Sequence, residues 1–216
     1  MLFNAKKAIF FGAHTDDEFI AAGTLHRLSC EGCEVHVVTY APAAIESDRK
    51  GTKASSAVVE PEWHRALDAI GVGEHNRQFL DLTPSSQLDH YRQNVCQFCY
   101  DYVELKKPDV CFILSPDDEN TAHSLVGIEC ERVMRGRVPT VIRCQFPWNY
   151  SHGRGNLFVR LSEENCVAKQ AVIRCYKSQE FRYSYERMLV SYAFADGLSV
   201  KSNDPCEKFE LLRSVL

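Results

Sequence analysis

A chain of 216 residues, 45% hydrophobic and 25% charged, is long enough for one α/β domain with a sizeable core and too short for two ordinary domains. A net charge of −4, with acids and bases interspersed, excludes the basic stripe of a nucleic-acid binder and any like-charged tail. No stretch approaches ~18 consecutive apolar residues, so no membrane span is expected.

Lys6 and Lys7 precede the apolar residues 8–13. This run is too short for the core of a secretory leader, and His14, Asp16, Asp17 and Glu18 end it at once. Residues 7–13 therefore read as a buried strand. Residues 16–30 carry helical spacing at Phe19, Ile20, Leu25 and Leu28. A Cys30–Cys33 turn containing Gly32 leads to a second strand over 34–40. This βαβ unit implies a parallel sheet.

Residues 42–56 are charged or small and read as a long loop. A helix is expected over 61–70 and a short strand over 79–82. A long helix over 88–105 is closed by Lys106, Lys107 and Pro108. Residues 110–114 form the next buried strand, 115–121 a loop, and 123–134 a helix. Strands are expected at 140–144 and 157–161, separated by a Pro-, Gly- and aromatic-rich loop over 146–155. Helices over 163–176 and 206–215 complete the chain. Alternating strands and helices predict a single α/β domain over 1–216, a Rossmann-like, mostly parallel sheet with helices on both faces.

With no leader, a cytoplasmic location is expected, where ten cysteines stay reduced. The pairs Cys30/Cys33 and Cys96/Cys99 have C-x-x-C spacing but lie too far apart for a zinc ribbon. Core packing is the simpler reading of both.

Ligands of open α/β sheets bind outside the carboxyl ends of the strands. Two loops qualify, 14–18 and 115–123. The first reads His14-Thr15-Asp16-Asp17-Glu18. An imidazole and a carboxylate three residues apart across a strand-to-helix turn suit a zinc ion. Acids also favour helix N-termini for capping and dipole reasons, and on this loop alone the two readings stay open. A dinucleotide site is disfavoured, since Gly12 stands without a G-x-G-x-x-G pattern. The second loop places His123 at a matching rim. It offers the third protein ligand of a catalytic metal, with a fourth position left for water.

These residues resemble the PIG-L/LmbE-like family of zinc-dependent de-N-acetylases. Residues 13–18 match the family signature A-H-P-D-D-E with Thr15 in place of proline, and 116–123 resemble its second motif, usually ending H-x-D-H. Weaker likenesses are the helix ending in Leu-Gly (62–71), Lys169 with Ser178-Gln179, and Cys206-Glu207-Lys208-Phe209 in place of A-E-x-F. The resemblance implies that His14, Asp17 and His123 hold Zn2+ or another divalent ion and that Asp16 is the general base. It implies hydrolysis of the linear amide of an N-acetylated amino sugar or sugar conjugate. The chain departs from the pattern at Asn120, where the motif has its first His, and at Ala122, where it has Asp. Val59 stands where an Arg is common. Asn120 still offers an N–H to a substrate carbonyl but cannot carry charge, and the Asp that would orient a His is expected to be missing. A zinc amidase for a different acyl substrate, and a metal-binding homologue with weakened turnover, are the alternatives.

His152, in an aromatic and glycine-rich loop, is a candidate acid. Arg49, with Lys50 and Lys53, is a candidate for a charged substrate group, although a solvated loop explains it as well. Trp148 and Tyr150 suit a sugar face or plain packing. His26, His36, His64, His75 and His90 have no assigned role. The expected partner is a small N-acyl sugar, and the oligomeric state is open.

Overall fold

The computed structural model describes residues 2–43, 56–82, 85–152, 155–180 and 185–215. Seven strands form one sheet: β1 (Lys7–His14), β2 (Glu34–Ala41), β3 (Arg77–Phe79), β4 (Val110–Leu114), β5 (Thr140–Cys144), β6 (Leu157–Arg160) and β7 (Cys206–Ser214). Their order is β3-β2-β1-β4-β5-β7-β6. The first five run parallel, and β7 pairs antiparallel with both β5 and β6. The helices are α1 (Ala22–Cys30), α2 (Ser56–Ala69), α3 (Arg92–Lys106), α4 (Thr121–Met134), α5 (Glu163–Cys175) and α6 (Tyr185–Ser199). On one face α5 packs against α1, α2 and α6; on the other α3 packs against α4. This is the mostly parallel α/β sheet with helices on both faces that the pattern predicts.

β1 and β4 lie at the centre because their side chains are apolar on both faces, as a doubly covered parallel sheet demands. Ile9, Phe10, Phe11, Phe112 and Ile113 are all fully buried. Gly127 lets α4 press onto the end of β4: a Cβ there would lie 2.5 Å from the Leu114 carbonyl oxygen. That close approach brings the first turn of α4, with His123, to the rim where β1 delivers His14.

Where a closing helix was expected over 206–215, the chain forms the strand β7, Cys206–Ser214. Intrinsic propensity is a weak prior, and here two ladders override it. β7 hydrogen-bonds to β5 on one side and β6 on the other, and Phe209 packs edge-on to Phe112 with centroids 5.8 Å apart. The sequence reading also omits α6. Residues 16–30 are not one helix either: a 3-10 turn, Asp17–Ala21, precedes α1. The short third strand lies at Arg77–Phe79, N-terminal to its expected place.

The weaker family likenesses meet inside the structure. Lys169 and Glu207 form a buried ion pair. Lys169 Nζ also donates to the carbonyls of Phe19 (2.8 Å) and Ile20 (3.0 Å). Glu207 accepts from Gly23 N, Thr24 N and Thr24 Oγ1 at 3.0, 2.7 and 2.6 Å. The pair thus satisfies both the carbonyls that end the 3-10 turn and the N–H groups that open α1. Glu62 accepts from Ser178 N and Oγ, at 3.0 and 2.6 Å, tying α2 to the turn after α5.

Candidate metal centre

His14, Asp17 and His123 converge at the carboxyl rim of β1 and β4, each offering a ligand atom within 4.8 Å of the others. His14 Nδ1 lies 3.1 Å from His123 Nε2, and Asp17 Oδ1 lies 3.1 Å from His123 Nε2 and 3.7 Å from His14 Nδ1. Asp17 does not cap a helix. Its Oδ2 accepts the backbone N–H groups of Ala13 (2.7 Å) and His14 (2.8 Å), which turns Oδ1 toward the imidazoles. Gly12 leaves room for this fold-back, since a Cβ there would meet Asp17 Cβ at 3.1 Å. Thr15, at the signature's proline position, is fully buried and accepts the Ala43 N–H at 3.1 Å.

His123 has a second carboxylate that sequence reasoning missed. Its Nδ1 lies 3.1 Å from Asp118 Oδ2, and Asp118 Oδ1 accepts the Asn120 N–H at 2.8 Å. A neutral His123 gives its Nδ1–H to Asp118, which leaves the Nε2 lone pair facing the carboxylate oxygen of Asp17. Two acceptors at 3.1 Å repel unless a cation lies between them. That cation is a proton or a metal ion, and two imidazole nitrogens with one carboxylate oxygen are a donor set suited to zinc and similar divalent ions. Burial alone disfavours charge on His123, but Asp17 and Asp118 outweigh it and push its pKa up to about 10. Burial likewise opposes charge on Asp17, and the imidazoles of His123 and His14 override it, holding the carboxyl far below its ordinary range.

The sequence expected no carboxylate to orient His123, because Ala122 stands at the motif's Asp. Asp118 supplies one from five residues upstream, through the turn between β4 and α4. Three consecutive acids, Asp117 to Glu119, sit in that loop; the tight turn closed by Asp118 N to the Ser115 carbonyl (3.3 Å) selects the middle one.

Asp16 is buried beside Asp17. Asn120 is the exposed N-cap of α4, its side-chain oxygen accepting the Ala122 N–H at 3.0 Å. Phe146 stacks on the His123 ring at 4.8 Å, and Trp148 stacks on Phe146 at 4.6 Å. Trp148 thereby extends the ring stack from His123, with 36% of its surface exposed. Residues 147–152 form a 3-10 turn, Pro147–His152, where a loop was expected, and His152 is its last residue. Arg49, Lys50 and Lys53 lie outside the described residues.

Over residues 9–133 the sequence matches the family described as PIG-L: GlcNAc-PI de-N-acetylase. The chain belongs to the PIG-L family. Solved structures share its fold. N,N'-diacetylchitobiose deacetylase from Pyrococcus horikoshii is 18% identical, with 97% of this chain and 84% of that one covered and a TM-score of 0.70. The conserved protein TT1542 from Thermus thermophilus is 18% identical over 97% and 96%, with a TM-score of 0.77. GalB, the 4-carboxy-2-hydroxymuconate hydratase from Pseudomonas putida, is 19% identical over 98% of each chain, with a TM-score of 0.75. No curated protein matches the chain in sequence. Deacetylases and a hydratase thus share this PIG-L architecture, and the activity must be argued from the site.

The remaining candidates resolve more simply. All ten cysteines are free. Cys33 and Cys99 are buried, and burial raises both thiols above their ordinary pKa. His36 is buried between Tyr102 Oη (2.9 Å) and Glu34 Oε1 (3.0 Å) and is a core residue. Among the described residues no helix is long and apolar enough to cross a membrane.

Proposed function

We propose that this PIG-L protein is a zinc-dependent amidohydrolase that removes an N-acyl group, N-acetyl foremost, from an amino sugar or sugar conjugate. The observation that carries the reading is the convergence of His14, Asp17 and His123, with Asp118 behind His123, in a chain of a de-N-acetylase family. A bound divalent ion supplies a Lewis acid, which polarises an amide carbonyl and makes water easier to deprotonate. Asp17 and the two imidazoles hold that ion, and Asp118 keeps the His123 ring turned so that Nε2 is the ligand atom. Asp16, beside the ligands, takes the proton of the attacking water and returns it to the leaving amine. Asn120 Nδ2 donates to the acyl oxygen, and Trp148 gives a flat face on which a sugar ring stacks. Arg49, for a charged substrate group, and His152, as a second acid, remain the other residues we assign to substrate. Ten free thiols suit a reducing compartment, and we place the enzyme in the cytoplasm.

The Asn120 position favours one narrower alternative, an acyl group other than acetyl, because an amide donor replaces a chargeable imidazole there. The test is a panel of N-acetyl, N-formyl and longer N-acyl amino sugars with metal-reconstituted protein, scored by free amine and released carboxylic acid. Release of amine and acetate is the expected result. Absence of amine release across the panel, or addition of water without acid release, contradicts the proposal.

A further inference from the structure

A second group of charged side chains lies in the groove between the first turns of α3 and the middle of α4. Glu129 on α4 is only 1% exposed, and two guanidinium groups close on it. Arg92 Nε and Nη2 each lie 2.6 Å from its Oε1, and Arg132 Nη1 lies 3.0 Å from its Oε2. A buried carboxylate requires a cation, and one would balance its charge. Here there are two, and more than half of each arginine side chain remains exposed.

The three residues line a cavity of about 680 Å³. The rest of its lining is the carboxamides of Gln93, Asn94 and Gln97 and the thiol of Cys96. Burial and the Glu129 carboxylate beside it raise the Cys96 thiol above its ordinary pKa, so it stays protonated and adds no anion. Two cations against one anion leave the lining with an excess positive charge, on a chain whose net charge is −4. Glu129 pins one edge of each guanidinium. Among the described residues, Arg92 Nη1 and Arg132 Nε and Nη2 have no protein partner. Rigid, pre-oriented donors of this kind suit an oxyanion.

A phosphate monoester fits them better than a carboxylate does. It offers three terminal oxygens and a charge of about −1.5 to −2 at pH 7. The cavity also has the size of sites that hold whole small molecules, far more than a bare phosphate fills. Its carboxamides both donate and accept, as hydroxyl groups require. None of the metal ligands lines it, nor do Asp16, Asn120 or Trp148. We propose that this groove is a second ligand site, which takes the phosphate monoester of a small polar molecule: Arg92 and Arg132 bind the phosphate, and the carboxamides bind the hydroxyl groups.

The experiment is calorimetric titration of the full chain, in chloride buffer, with a hexose 6-phosphate, inorganic phosphate and acetate. A metal centre also attracts phosphate, so wild type is compared with His14→Ala. The hexose phosphate should bind both with equal affinity, inorganic phosphate more weakly, and acetate most weakly. Arg132→Gln keeps a donor for Glu129 and loses the charge, so it should weaken hexose phosphate binding roughly 10–100-fold. No binding of the hexose phosphate, binding lost in His14→Ala, or binding untouched by Arg132→Gln overturns the proposal. Acetate binding as tightly as the hexose phosphate overturns the choice of anion, and inorganic phosphate doing so overturns the organic part. If Arg132→Gln fails to fold, phenylglyoxal labelling of wild type decides instead. Peptide mass spectrometry should show Arg92 and Arg132 protected by the hexose phosphate, and labelling of both unchanged by saturating ligand overturns the site.

Discussion

Asp118 fixes which nitrogen of His123 faces the ligand cluster, so its loss should act on the metal before it acts on chemistry. Asp118→Asn leaves a side chain of the same size and is expected to weaken divalent-ion affinity by about 10–100-fold, read by competition with a chromophoric chelator. Unchanged affinity would show that the ring is held by its stacking on Phe146 alone. The proton and the metal compete for the same gap. Against the opposing effect of burial, Asp17 and Asp118 push the His123 pKa up from its ordinary 6.5 to about 10 when no metal is bound. A raised imidazole pKa stabilises the fold below 6.5 and loses that contribution as pH rises through about 10. Metal binding must expel this proton, so apparent affinity should rise about tenfold per pH unit from roughly pH 6.5 to 9. The stabilisation by metal, read as the melting difference between loaded and chelated protein, should widen over the same range; a pH-independent affinity contradicts the shared gap. Much of this site was legible in the sequence, because His14, Asp16 and Asp17 sit in one strand-to-helix turn and His123 at a second strand rim. Asp118 was not, since three successive acids look alike until a backbone turn singles one out.

At the scale of elements, the site is held by contacts between distant segments. Lys169 on α5 and Glu207 on β7 jointly tie down the 3-10 turn that carries Asp17 and the start of α1. Lys169→Met leaves the Glu207 carboxylate buried without its cation. The expected loss is about 3 kcal/mol or more, seen as a lower urea midpoint, because breaking a buried pair strands the remaining charge. A midpoint unchanged within error would mean that the N–H groups of Gly23 and Thr24 satisfy Glu207 on their own. The same pair explains where element reading failed. Periodicity located the central strands, whose apolar runs are fixed by burial on both faces. It could not place β7, whose Glu-, Lys- and Leu-rich sequence prefers a helix in isolation and becomes a strand only between β5 and β6. It also merged the 3-10 turn into α1, since Asp17 binding back to Ala13 and His14 interrupts a pattern that looks continuous in sequence.

In the whole molecule, the parallel strands point their carboxyl ends to one rim, and the candidate metal ligands, Asp16 and the residues around them come from the end of β1 and from the turn, loop and helix start at that rim. β1 delivers His14, the turn after it Asp16 and Asp17, the loop after β4 Asp118 and Asn120, α4 His123, and the segment after β5 the rings stacked on His123. Solved structures of this fold include deacetylases and a hydratase, so the central claim is the division of labour within it: three residues hold the metal and Asp16 moves the proton. The measurement that tests it most directly is bound metal and acetate release determined together on Asp16→Asn. The account predicts about one divalent ion per chain, as in wild type, with the rate reduced by ~10²–10⁴-fold. Loss of metal as complete as in Asp17→Asn, or a rate equal to wild type with metal retained, contradicts it.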